Sequence, residues 1–117
     1  MTTVQLGELS DLFAALGNPF RLRIIEMLSQ HRELCVCELG DGLPELSQSG
    51  VSRHLAVLKN AGLVRDRKKG LWVFYALDAD RLERLPLTLL QHVIAAARQA
   101  PEENVEARVA LRCQTAA

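Results

Sequence analysis

Apolar residues near the start of the chain recur at spacings of three and four: Leu6, Leu9, Leu12, Phe13 and Leu16. That period belongs to one face of an amphipathic helix, which Gly17 ends. Asn18 offers a cap and Pro19 suits the first helical position, so a second helix is predicted through Arg21–Leu28, with Leu22, Ile25 and Leu28 facing inward. His31, Arg32 and Glu33 form a polar connection. A short helix is expected from about Leu34 to Leu43, weakened by Gly40 and Gly42, with Pro44 just beyond it. Ser47 caps the next helix, and Leu46 and Val51 are spaced to staple its entry. Val51, Leu55 and Leu58 give it an apolar stripe, and Gly62 a stop. Two short helices joined by a tight turn, the second rich in Ser, Arg and His, form a helix-turn-helix.

The period then changes. Leu63–Arg67 and Leu71–Leu77 are β-prone, with Lys68-Lys69-Gly70 as the turn between them. This predicts a β-hairpin with a basic tip, a wing, in which Trp72, Phe74 and Tyr75 serve as hairpin core. Helix returns from Asp78 to about Gln99, with Leu82, Leu85, Leu89 and Val93 inward; Pro86 lies inside that span and predicts either a kink or a division. The fold class is mainly α with a small β-hairpin, a winged helix-turn-helix over residues 1–100. Residues 101–117 read as a partly flexible tail, with partial disorder expected beyond about Cys113.

Composition narrows the class. Hydrophobic residues make up 49% of the 117, enough for one modest core. No apolar run approaches the roughly 20 residues of a membrane span. No basic-then-apolar segment opens the chain, and three cysteines suit reduced thiols better than a disulfide framework, so a cytoplasmic protein is expected. The formal net charge of zero argues against a nucleic-acid partner, but its distribution argues for one. Arg53, Lys59, Arg65, Arg67, Lys68 and Lys69 face only Asp66 between positions 53 and 75, whereas acids dominate between Glu26 and Leu46.

Gln48, Ser49, Ser52, Arg53 and His54 stand at the start of the predicted recognition helix, where side chains meet base edges in a major groove. Arg53 has the geometry for a guanine edge or for a phosphate. Arg67, Lys68 and Lys69 at the wing tip are expected on phosphates or in the minor groove of double-stranded DNA. About ten residues before the reader lie Cys35 and Cys37. A free cysteine is often only a small buried hydrophobe. Thiols in this place would instead let a soft, thiophilic ligand act on the reader. On a regular helix residues i and i+2 lie about 200° apart, so these two thiols cannot share one ion without unwinding that turn.

The segments Ala15–Ile24, Glu33–Leu39, Ser52-Arg53-His54-Leu55 and Gly62-Leu63-Val64 with Gly70–Tyr75 together resemble the ArsR/SmtB family of metal-responsive repressors over roughly Leu12 to Leu77. The Cys-Val-Cys variant looks like the arsenite-sensing branch. The resemblance implies a winged-helix homodimer that leaves an inverted-repeat operator when As(III) or Sb(III) binds three sulfurs. The position three residues after Cys37, where that motif places a third thiol, is Gly40, which leaves Cys113, an exogenous thiol or water to complete the set. A family-type zinc site on the last helix is not expected: Asp78 and Asp80 open such a pattern, but its later positions fall on Gln91 and Ile94, with His92 alone beside them.

The first and last helices carry more apolar surface than a lone winged helix hides. Leu6, Leu9, Leu12 and Phe13 with Leu85, Leu89, Val93 and Ile94 form the expected dimer interface, which would set two readers about 34 Å apart. An enzyme is the other class to weigh, and no Cys-x-x-Cys, phosphate loop or nucleophile–base constellation accompanies the thiols. The nearer alternative is a winged-helix repressor that answers zinc, cadmium or thiol oxidation.

Overall fold

A computed structural model describes residues 2–84 and 87–115, and side chains over 2–84 and 91–112. It divides into two compact units, Met1–Leu85 and Pro86–Ala117. The first unit comprises α1 (Thr3–Leu16), α2 (Pro19–Gln30), β1 (Leu34–Cys35), α3 (Val36–Asp41), α4 (Gln48–Asn60), β2 (Val64–Lys69), β3 (Trp72–Leu77) and α5 (Ala79–Glu83). The second contains α6 (Leu87–Gln99) and α7 (Val105–Thr115).

Local chemistry sets the helix limits. Asn18 Oδ1 accepts from the Phe20 and Arg21 amides at 2.9 and 3.2 Å, with Pro19 at the first helical position of α2. Ser47 Oγ accepts from Gly50 N at 3.1 Å and starts α4. The other end of α4 closes as a Schellman motif: Gly62 N donates to Lys59 O at 2.9 Å and Leu63 N to Leu58 O at 3.0 Å. Gly62 takes φ +77° there, which glycine adopts without a Cβ penalty.

The core gathers Ile24, Leu39, Leu43, Leu55, Leu58 and Leu63, all fully buried, under Leu12, Ala15, Leu28 and Val51. Helix α2 differs from the expected facing. Ile24 and Leu28 are its buried pair, whereas Leu22 is half exposed. Positions 24 and 28 lie about 40° apart on a helix and position 22 lies about 200° from 24, so Leu22 falls on the far side.

The sheet has three antiparallel strands in the order β1-β3-β2, one more than the hairpin expected from sequence. Leu34 and Cys35 pair with Tyr75 and Phe74. They are strand residues, not the first turn of a helix. The hairpin register runs from Val64↔Leu77 to Lys69↔Trp72, so Lys68 and Lys69 belong to β2 and the turn is only Gly70 and Leu71. Gly70, at φ +60°, permits that two-residue turn. Tyr75 and Leu77 pack on the core, but Trp72, on the opposite face of the pleat, is 56% exposed and is not hairpin core.

The helix expected from Asp78 to Gln99 is two helices, α5 ending at Glu83 and α6 starting at Leu87. Beyond Pro101 the chain forms α7, Val105–Thr115. Asn104 Oδ1 accepts from Ala107 N at 3.0 Å and starts α7, and Val105 and Val109 recur at a helical spacing of four.

Candidate DNA-reading surface and thiol site

Two fully buried leucines, Leu39 from α3 and Leu43 from the turn, hold the helix-turn-helix against α4. The turn between α3 and α4 closes through Leu43 N to Gly40 O and Leu46 N to Leu43 O, both 3.0 Å. Arg23 of α2 donates to Glu45 at 3.0 Å and holds that carboxyl below its usual range. Burial of Val51, Leu55 and Leu58 turns the other side of α4 outward. Gln48, Ser49, Ser52 and Arg53 are accordingly exposed, a polar patch over the first two turns. Ser49 Oγ lies 3.1 Å from the capping Ser47 Oγ.

His54 stands apart from that patch. It is partly buried, its Nδ1 lies 3.1 Å from Arg21 Nη1, and its ring centroid is 5.8 Å from that of Phe20. Burial, then the positive charges of Arg21 and Arg53, push its pKa below the ordinary histidine value.

Basic groups of α4 and the wing fall into two kinds. Lys59 pairs with Asp66 at 3.0 Å. Arg67 lies behind the tip, where it forks onto the Glu33 carboxylate at 2.9 and 3.0 Å and covers the Phe74 ring at 4.8 Å. That pairing lowers the Glu33 pKa and raises that of Arg67. Lys68 and Lys69, next to the turn, and Arg53 and Arg65 are exposed and make no ion pair among the described residues.

The two thiols occupy unlike environments. Cys35 is buried and serves as the N-cap of α3: its Sγ accepts from Glu38 N at 3.4 Å, while Glu38 Oε1 accepts from Cys35 N at 3.1 Å. This is a capping box with sulfur in the usual hydroxyl position. The Glu38 amide favours the thiolate, but burial and the Glu38 carboxylate outweigh it, so the Cys35 thiol titrates above its ordinary value. Cys37 is exposed and lines a groove of about 340 Å³ with Val36, Gly40, Asp41, Leu46, Gln48 and Val51, between α3 and the start of α4. Among the described residues no three His, Cys, Asp or Glu side chains converge as a metal-binding group. Cys113 is on α7, and its side chain lies outside the described residues.

Three links are not read from the sequence: the sulfur cap, the Glu33–Arg67 fork and the Arg21–His54 contact. Only the cap had a local signal. Cys35-Val36-Cys37-Glu38 has the Ser-x-x-Glu spacing of a capping box. The other two join residues 34 and 33 positions apart, which no local pattern reveals.

The family model described as "Bacterial regulatory protein, arsR family" matches residues 18–66, which hold α2, α3 and α4. A regulator of the helix-turn-helix type from Methanocaldococcus jannaschii is 40% identical over 76 residues, 65% of this chain and 84% of that protein. The chain belongs to the ArsR family. This ArsR-family regulator is also 50% identical over 68 residues to the arsenical resistance operon repressor of Escherichia coli K12, 58% of this chain and 57% of the repressor. The match therefore spans little more than half of that relative's length. Among solved structures, a homodimeric winged helix-turn-helix DNA-binding domain from Mycobacterium bovis superposes with a TM-score of 0.62 at 26% identity, covering 86% of this chain and 91% of that one. No helix of the described residues is long and apolar enough to cross a membrane.

Proposed function

We propose that this ArsR-family regulator is a homodimeric repressor of an inverted-repeat operator, and that As(III) or Sb(III) releases it by binding the thiolates of Cys35 and Cys37. One observation carries the reading: the sulfur that would bind the metalloid is the same sulfur that caps α3. A bound soft centre would take one lone pair of each thiolate, and drawing Cys37 toward Cys35 would pull the Cys35 sulfur out of line with the Glu38 amide that it caps. Helix α3, the support of the reader, then has a different free energy in the bound and free states, which coupling requires. Two thiols suit a soft centre. Cys113 is the candidate third ligand, from either subunit.

Gln48, Ser49, Ser52 and Arg53 read base edges, and Lys68 and Lys69 supply phosphate contacts. Arg67, held by Glu33 through Nε and Nη2, braces the wing and keeps its remaining donors for a phosphate. For the dimer, α1 exposes Leu6 and Phe13 and α6 exposes Val93 and Ile94, each about half accessible in the protomer. Leu9 and Leu12, expected at that interface, are buried within the protomer instead. Leu85 and the Leu89 side chain lie outside the described residues. Cd(II) is the second reading, because a buried and an exposed thiol suit that soft ion too.

Amide NMR of the reduced protein tests the mechanism. Stoichiometric arsenite is expected to shift Glu38 and the following amides of α3 and leave Leu55 to Leu58 in place. An unmoved α3 in arsenite-loaded protein would refute release through the cap.

A further inference from the structure

One guanidinium joins three helices. Arg21 Nε donates to Ala15 O at 2.6 Å and Nη2 to Ala14 O at 3.1 Å, satisfying carbonyls in the last turn of α1. Its Nη1 meets His54 Nδ1 at 3.1 Å on α4. Arginine has no acceptor and stays charged, so the donor is fixed. Nδ1 must therefore be the acceptor, which makes His54 neutral and places its proton on Nε2. Phe20 flanks the ring.

We propose that Arg21 and His54 form an internal strut that fixes the recognition helix against the end of α1, so that His54 serves DNA binding by positioning α4 and does not itself contact DNA. The proposal rests on α4 being the DNA reader. Protonation of His54 would convert its acceptor into a second donor facing a cation, and the strut would open. The charged groups acting on the ring are Arg21 from α2 and Arg53 from its own helix. From α1, carbonyls reach the same guanidinium. The low folded-state pKa gives the sign: the strut is intact above the ordinary histidine value and is lost as pH falls through the lower value of His54. A histidine that touched phosphate would do the reverse, since its positive form binds an anion better.

Three measurements separate these cases. In the free protein, histidine side-chain NMR is expected to show His54 as the Nε2–H tautomer, titrating below the ordinary histidine value. A proton on Nδ1, or a titration above that value, would overturn the strut whether or not the chain binds DNA. On a labelled duplex from upstream of its gene, wild-type affinity relative to His54→Asn, whose amide oxygen can replace Nδ1 as acceptor, is expected to fall about tenfold as pH drops from about 7.5 to below the His54 titration read by NMR. Parallel profiles, or a wild type that gains affinity in acid, would overturn it. Arg21→Lys, which cannot serve three acceptors in that fork, is expected to lower affinity without changing the number of phosphates read from the salt slope; a reduced slope would contradict a positioning role.

Discussion

Helix α4 starts from a serine hydroxyl, ends in a Schellman closure and buries Val51, Leu55 and Leu58 along one side. Its neighbour α3 has six residues, one fully buried leucine and a sulfur for a cap. Sulfur is a weak acceptor, so the Cys35 cap holds α3 less firmly than the Ser47 hydroxyl holds α4. The two helices of one motif thus differ in how they are held, and in the proposed mechanism the sulfur at the start of α3 is the group that a thiophilic ligand would claim.

The contrast can be broken most forcefully in the core. Leu55→Ala removes a fully buried side chain of α4 and is expected to cost about 2–5 kcal/mol in denaturant unfolding. A cost under about 1 kcal/mol, within the range of surface substitutions, would mean α4 is not the anchored partner. On the exposed side, Arg53→Ala is expected to cost about 1–3 kcal/mol of discrimination between operator and unrelated DNA. Lys68→Ala should instead weaken all duplexes alike and flatten the salt slope by about one. Matching behaviour of the two would collapse the division between reader and wing. The smallest effect sharpens the comparison most. Cys35→Ser keeps a cap, since serine is a preferred N-cap residue, so stability should stay within about 0.5 kcal/mol while the metalloid response disappears. A large loss of stability would show that the sulfur packs and does not merely cap.

Much of this plan was legible in the chain. The Asn18-Pro19 start, the Ser47 cap and the Gly62 stop are local signals, and each sits where its chemistry demands. What escaped is non-local. Strand β1 has two residues and exists because β3 offers it an edge, so Leu34 and Cys35 carry no strand pattern of their own. Leu22 has the same hydrophobicity as Leu28 but the wrong angle. Trp72 faces outward because the pleat alternates, although its neighbours invite an inward reading. Arg67 and His54 look like ligands for DNA by residue type, and only the fold reveals the partners they already hold. Polar residues advertise capacity, whereas tertiary contacts decide whether it is free.

Titrating arsenite into the reduced regulator on labelled upstream DNA shows whether a soft ligand at the α3 cap controls DNA binding. Anisotropy should fall at stoichiometric arsenite in the wild type, hold with zinc, and hold with arsenite in Cys35→Ser. Wild-type protein that stays on DNA with arsenite bound, or Cys35→Ser released as readily as wild type, would contradict control through that sulfur.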